Sequence, residues 1–383
     1  SAGTFSDTVE VDTLVTLIVG DDGTWQRAQR TGGTLQADVR PTAFGYVASG
    51  AGNPGTPSPS SVLRSYNYLV NTWDTKANIL LGDGEGVGDA YASLGSDIYS
   101  LYPRSSGWPV TNARFNQAQK YTSLTNTWAE VAVKSGEPYK AHQAASANSK
   151  VYFFGEDAVG LAAGEIEPCE YDPATDTWDI TWNSPEHMHM NGAGVAYNNL
   201  IYLYSGVAKN SAGAFSDITK KINSFTPATD TWSTGLTESS NAGMVRIGSA
   251  EQGGILYFAG GCPLTGTNTL DCSNPVDTHH SYNISTGNWT TETALPSPRW
   301  GKGTFSGLGD SKIYWIGGAD EIVGGSGVLG TTPATADVQF YTPSGGSGTW
   351  TTTPTDYPDL LGHSASAGIT GLSNSTVSAT PAL

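Results

Sequence analysis

Apolar residues along this chain come in short alternating runs, and no stretch sustains the 3.6-residue period of an amphipathic helix. Five of the runs share an Ile-Tyr-like pair and often close on Gly-Gly: SDIYSLY at Tyr99, SKVYFFG at Tyr152, NLIYLYSG at Tyr202, GILYFAGG at Tyr257 and SKIYWIGG at Tyr314. Alternation over so few residues predicts half-buried strands. A second phrase alternates with the first. An aromatic-bearing strand runs into a turn of Asp, Pro, Thr, Asn or Gly and then into Thr-Trp or a near variant. It occurs seven times, ending at Trp25, Trp73, Trp128, Trp178, Trp232, Trp289 and Trp350, in steps of 48, 55, 50, 54, 57 and 61 residues. Upstream of each Ile-Tyr run lies a third element rich in Gly, Ala and Ser, such as HQAASA or GAGVAY.

A repeat near 50 residues means that each unit is one supersecondary element unable to bury its faces alone. Each unit predicts four strands, and the small side chains of the first suit the crowded inner strand of a propeller blade. The Gly-Gly after the I-Y strand, the YDPATDTW turn and the LPSPRWG stretch from Leu295 to Gly301 resemble the kelch-repeat β-propeller family, to which the galactose-oxidase central domain is similar. The resemblance covers nearly the whole chain, and it specifies fold far better than function, because kelch propellers serve as enzymes, lectins and adaptors. The first unit, around TAFGYVASG, lacks the Ile-Tyr pair, and Glu156 and Ser205 stand where the family has glycine. Inner strands beginning near Thr42, Gly88, His142, Gly192, Ile247, Lys302 and His363 give an all-β, seven-bladed ring of four-stranded blades. Its closing blade is shared between the termini, Val9 to Trp25 pairing with the segment after His363. Residues 1–383 form a single domain, with the Ser/Thr-rich stretch from about 371 to 383 as a linker or last strand.

Composition adds the surroundings. With 18 basic and 35 acidic residues the net charge is −17, which disfavours nucleic acid and anionic membrane surfaces as partners. No apolar run reaches the roughly 20 residues of a membrane helix. Asn283, Asn288 and Asn374 begin glycosylation sequons, and a start at Ser1 fits a removed leader, so a secreted glycoprotein is expected. Of three cysteines, Cys262 and Cys272 bracket one loop and are expected to form a disulfide, leaving Cys169 as a buried strand thiol.

The few basic residues fall at one structural position. Loops entering the inner strands share a face with the loops that follow Gly-Gly, at the mouth of the channel. That face collects Arg40, Lys140 with His142, His187 with His189, Arg246, Arg299 with Lys302, and His363, flanked by Tyr139, Tyr91 and Trp300. Asp89 occupies the equivalent place in the second unit. Arg, His and aromatic side chains in this pattern suit an acidic glycan, with Arg on carboxylates and rings on sugar faces. The bland reading is that Arg and His tie blades together by bonding loop carbonyls. The candidate ligand set is Arg40, Asp89, His142, His189, Arg246, Trp300, Lys302 and His363.

The HMHM run from His187 to Met190 could suit copper, and Asp83, Glu85 and Asp89 could suit calcium, but neither offers a complete set, so no metal or cofactor is expected. No complete nucleophile–base arrangement appears, so the chain reads as a binding module for carbohydrate or protein rather than an enzyme. The alternatives are a His/Tyr polysaccharide lyase, a copper-radical oxidase relative, for which Cys169 is misplaced, and a structural subunit of an extracellular assembly.

Overall fold

A computed structural model describes, in the main, residues 62–80, 90–101, 117–135, 139–157, 167–184, 192–209, 215–233, 243–263, 275–300, 303–318 and 336–358. It also describes strand segments near both ends, Ala43–Ala48 and Ser366–Gly371 among them.

Six four-stranded antiparallel sheets make up the body. Blade I pairs Ser366–Gly371, Ala43–Ala48, Leu63–Asn67 and Thr72–Thr75 in that order. Blade II holds Ala90–Leu94, Asp97–Leu101, Ala118–Thr122 and Thr127–Glu130. Blade III holds Tyr139–Ala147, Lys150–Asp157, Glu167–Asp172 and Thr177–Asp179. In blade IV the strands are Ala193–Tyr197, Leu200–Tyr204, Ile222–Thr226 and Thr231–Trp232. Blade V runs through Gly248–Gln252, Ile255–Ala259, His279–Asn283 and Asn288–Thr291. Blade VI comprises Gly303–Phe305, Ile313–Ile316, Val338–Thr342 and Thr349–Thr351. The inner strands touch in the cycle I–II–III–IV–V–VI–I, which closes the ring.

Seven blades were expected, and six are found among the described residues. The segment TAFGYVA, counted as an inner strand, is the second strand of blade I: it pairs with Leu63–Asn67 on one side and with Ser366–Gly371 on the other. The C-terminal strand therefore completes blade I, and among the described residues there is no seventh inner strand. The N-terminal partner was also misassigned. Thr16–Ile18 pairs with Trp25–Arg27 as a two-stranded hairpin, so the first Trp phrase caps no blade.

The Tyr-turn-Trp phrase explains how blades hold each other. The turn residue before Thr-Trp adopts left-handed backbone, at Asn71, Asn126, Asp176 and Asp230, a conformation that Asn and Asp tolerate better than other side chains. Its carboxyl or amide oxygen then works twice. Asp176 Oδ1 accepts from Tyr171 Oη (2.6 Å) within the blade and from the Ala132 amide (2.8 Å) of the blade before. Asn126 does the same with Tyr121 and Ala77. Five of the phrase tryptophans reach back in parallel: Nε1 of Trp128, Trp178, Trp232 and Trp350 donates to the carbonyls of Ala77, Ala132, Asn183 and Thr293. Trp73 donates to Thr355 (3.0 Å), 282 positions away, so the clasp also bridges blades VI and I. Each hydrogen bond stabilises by about 1 kcal/mol, and the rings beneath add burial, Tyr171 lying 5.1 Å from Trp178. Replacing Asp176→Ala removes both acceptor bonds and places Ala in left-handed backbone. The expected cost is about 2 kcal/mol, read as a lower urea midpoint at unchanged slope; an unchanged midpoint would discard the clasp.

Candidate functional site

The mouth is built where each second strand ends and the next inner strand begins. In blade V the corner is Gly260-Gly261, both with positive φ (71° and 91°). A Cβ on Gly260 would lie 2.5 Å from the Arg299 carbonyl, and Gly261 N donates to that same oxygen (2.7 Å). Glycine is required because the corner presses directly on the next blade. Ser205, at a family-glycine position, adopts the same backbone at φ 58°. Its hydroxyl turns the irregularity to use: Oγ exchanges hydrogen bonds with Met244 O (2.7 Å) and Met244 N (2.6 Å) of blade V.

Arg246 follows in that entry loop, half-buried and itself in left-handed backbone at φ 56°. Its Cζ sits 4.6 Å from the centroid of the Trp300 ring, a cation–π stack across the blade V–VI boundary. Desolvation draws the guanidinium down from 12.5 to about 10, which leaves it cationic at neutral pH. Trp300 is fully buried, so it is the platform under Arg246 and offers no open face. Arg299, next in sequence, donates from Nη2 to Asp337 Oδ2 (2.9 Å). Along the axis, inner strands of blades II to VI enclose a cavity of about 240 Å³. Ser93, Ser146, Ser249, Thr304 and Ser306 supply hydroxyls to it, and Glu251 is the charged residue in its wall. Burial raises the Glu251 carboxyl, against which a hydrogen bond from Gly254 N (2.7 Å) works.

Of the eight residues expected at the mouth, Arg246 and Trp300 are brought together. His189 is placed otherwise. It is 0% exposed, with Nδ1 2.8 Å from Ser205 O and Nε2 2.9 Å from Asn223 Oδ1. With both ring nitrogens engaged inside blade IV, it braces that blade's own corner and its side chain does not tie two blades together. His142 is the extra residue at a bulge between Ala141 and Gln143 in the inner strand of blade III. Arg40, Asp89, Lys302 and His363 lie outside the described residues, as do His187, Asp83 and Glu85 of the metal readings and Cys272 and Asn374. Among the described residues no group of three His, Cys, Asp or Glu side chains could hold a metal ion. Cys169 is buried and in no disulfide. Asn288 is exposed on the outer strand of blade V, while Asn283 Oδ1 accepts from Ser285 N (3.0 Å) and Thr286 N (3.1 Å). Sequence reasoning missed Glu251; its one signal was an acid at an inner-strand place where other units carry Ser or Ala.

Six four-stranded blades around an axial cavity, clasped at the rim, define an all-β propeller. No family model matches the chain. Over 259 residues it is 27% identical to a "Kelch-like protein terF" of Aspergillus terreus, covering 65% of this chain and 54% of that protein. The chain thus spans about half the length of that curated relative. The solved structure titled "Structure of YjhT" superposes with a TM-score of 0.54 at 15% identity, covering 71% of this chain and 84% of that one, a likeness of fold. With the repeated Tyr-turn-Trp and Gly-Gly phrases, these findings support the kelch-repeat β-propeller family for this chain. Such a fold suggests a protein-interaction or binding role. No helix among the described residues is long and apolar enough to cross a membrane.

Proposed function

We propose that this propeller is a secreted binding module that takes an acidic glycan at the channel mouth. The observation that carries the reading is Arg246, a cation held on a buried Trp300 platform in the loop that enters the inner strand of blade V, in a molecule of net charge −17. A preorganised guanidinium binds carboxylate or sulfate with two parallel hydrogen bonds and loses little side-chain entropy in doing so. Arg40, Asp89, His142, Lys302 and His363 would complete the ring, and His189 acts only by fixing the corner behind it. The Cys262–Cys272 staple and glycans on Asn283, Asn288 and Asn374 belong to the same secreted reading. Supporting the staple, Cys262 lies at the start of that loop, buried and paired in register with Val245.

The test uses polygalacturonate and its neutral methyl ester as probes. Arg246→Ala should weaken polygalacturonate binding about tenfold to a hundredfold, since a lost charged hydrogen bond costs about 1.5–3 kcal/mol. Arg246→Lys should recover part of it, and raised salt should weaken the unaltered chain. Equal binding of both polymers, or indifference to Arg246→Ala, sinks the proposal. A rise in absorbance near 235 nm on incubation would transfer the site to a lyase.

A further inference from the structure

The seam between blades I and II buries polar groups that the chain itself leaves unmatched. Ser65 is 1% exposed, and Ser100 and Gln119 are 0% exposed. Ser65 Oγ, Ser100 Oγ and both amide atoms of Gln119, Oε1 and Nε2, have no hydrogen-bond partner. Strand alternation puts all three residues on one boundary. Ser100 stands opposite Gln119 in the register of blade II, between Ile98 and Tyr121 on the same face. Ser65 stands opposite Tyr46 in blade I, two residues from Leu63. Tyr46, Leu63, Ile98 and Tyr121 form one apolar cluster across the seam, so the orphaned atoms lie on the two faces that this cluster joins. The charged neighbours Arg64 and Lys120 alternate to the opposite faces of their blades.

The same position in other blades shows what an occupant must do. Gln119 lies two residues before the phrase tyrosine Tyr121, as Asn223 lies two before Phe225 and His280 two before Tyr282. Asn223 is completed by His189 Nε2 at its Oδ1 and by the Ser233 carbonyl, 3.1 Å from its Nδ2. His280 Nε2 has Tyr204 Oη at 2.9 Å. Blade II has neither an entry-loop histidine nor a tyrosine here. A buried amide and two hydroxyls without partners forfeit their hydration on folding, so such groups in folded proteins bind ordered water.

We infer that the blade I–II seam is a closed hydration site, in which one or two internal waters join Gln119 to Ser65 and Ser100. The occupant is neutral: the acids that share these faces, Asp74 opposite Ser65 and Glu130 opposite Gln119, are exposed on the outer strands, away from the buried hydroxyls and amide. It is water-sized, because the surrounding side chains shut it from solvent. Four polar atoms match the two to four partners that an internal water needs.

The experiment compares the unaltered chain, Gln119→Leu, Ser100→Ala and the triple variant Ser65→Ala/Ser100→Ala/Gln119→Leu. Melting temperature is read by calorimetry and the number of long-lived internal waters by oxygen-17 relaxation dispersion. Gln119→Leu should lower the melting temperature by about 2–4 °C and remove long-lived water, since it strands both serines. The triple variant should recover most of that loss while staying dry. Ser100→Ala, the mildest change, should lower the water count without unfolding the protein. A higher melting temperature for Gln119→Leu would mean a dry, strained amide and overturns the proposal. An equal count of long-lived waters in the unaltered and triple chains overturns it as well.

Discussion

Replacing Ser366–Gly371 by a Gly/Ser segment of equal length should abolish the cooperative thermal transition. This strand is the inner strand of blade I, paired along six residues with Ala43–Ala48. It also touches the inner strands of blades II and VI, so it forms part of the wall of the ring. Its loss would bare the edge of Ala43–Ala48 and open the ring to water on both sides. The polar linker could not refill the apolar boundaries that Tyr46 and Val47, both buried, help to form. The expected loss is on the order of 5 kcal/mol or more, comparable to the whole stability of an ordinary domain. Calorimetry and size-exclusion chromatography read it out. A peptide covering residues 364–373, added in trans, should restore compactness by adding the missing strand. A melting temperature within a degree or two of the unaltered chain would show that the strand is dispensable and the ring closed by other means.

Acid should weaken the fold through His280. This histidine is 1% exposed in blade V, packed against Tyr204, Phe258 and Trp289. Desolvation lowers it from 6.5 to about 4. In the unfolded chain it takes up a proton as the pH falls through 6.5, while in the fold it resists until about 4. The unfolded state therefore binds more protons across that window, and stability falls as the pH falls. The sum over the window is about 3 kcal/mol, and below pH 4 both states are protonated and the loss stops growing. Urea midpoints at pH 7, 5.5 and 4 should show it. In His280→Asn, the residue that blade IV carries at this place as Asn223, the pH slope should shrink by that amount. Equal slopes in the two proteins would remove His280 as the cause.

The repeat phrases were legible because they encode local physics. Asp or Asn before Thr-Trp supplies both the left-handed turn and the clasp, and Gly-Gly supplies a corner that admits no side chain. The blade count was misread at two particular places. Trp25 follows a Gly-Asp-Asp-Gly turn like those of true blades, yet a Trp phrase makes a blade only when an inner strand stands three strands away, and pairing at that distance leaves no mark in the local sequence. TAFGYVA has the small residues of an inner strand, but its pairing partners on both sides make it a second strand. The site was legible in part. Arg246 and Trp300 were each singled out, but not their stacking, because 54 residues separate them. His189 looked like a mouth residue, since a sequence gives the loop on which a side chain sits and not the direction in which it turns. His279 and His280 attracted no attention, because their burial depends on aromatic rings from neighbouring strands and blades.

The rim clasp treats the junction of blades VI and I like the four others at which it is described. Trp73 meets Thr355 by the same bond with which Trp128 meets Ala77, and Thr355 N returns to Asn71 Oδ1 (2.8 Å) as Ala77 N does to Asn126. At its circumference the molecule has no memory of chain order. Five copies of one handshake, the one over the chain's own ends among them, form a belt without a buckle there, and a cut at any of these five junctions would leave the belt one clasp short in the same way.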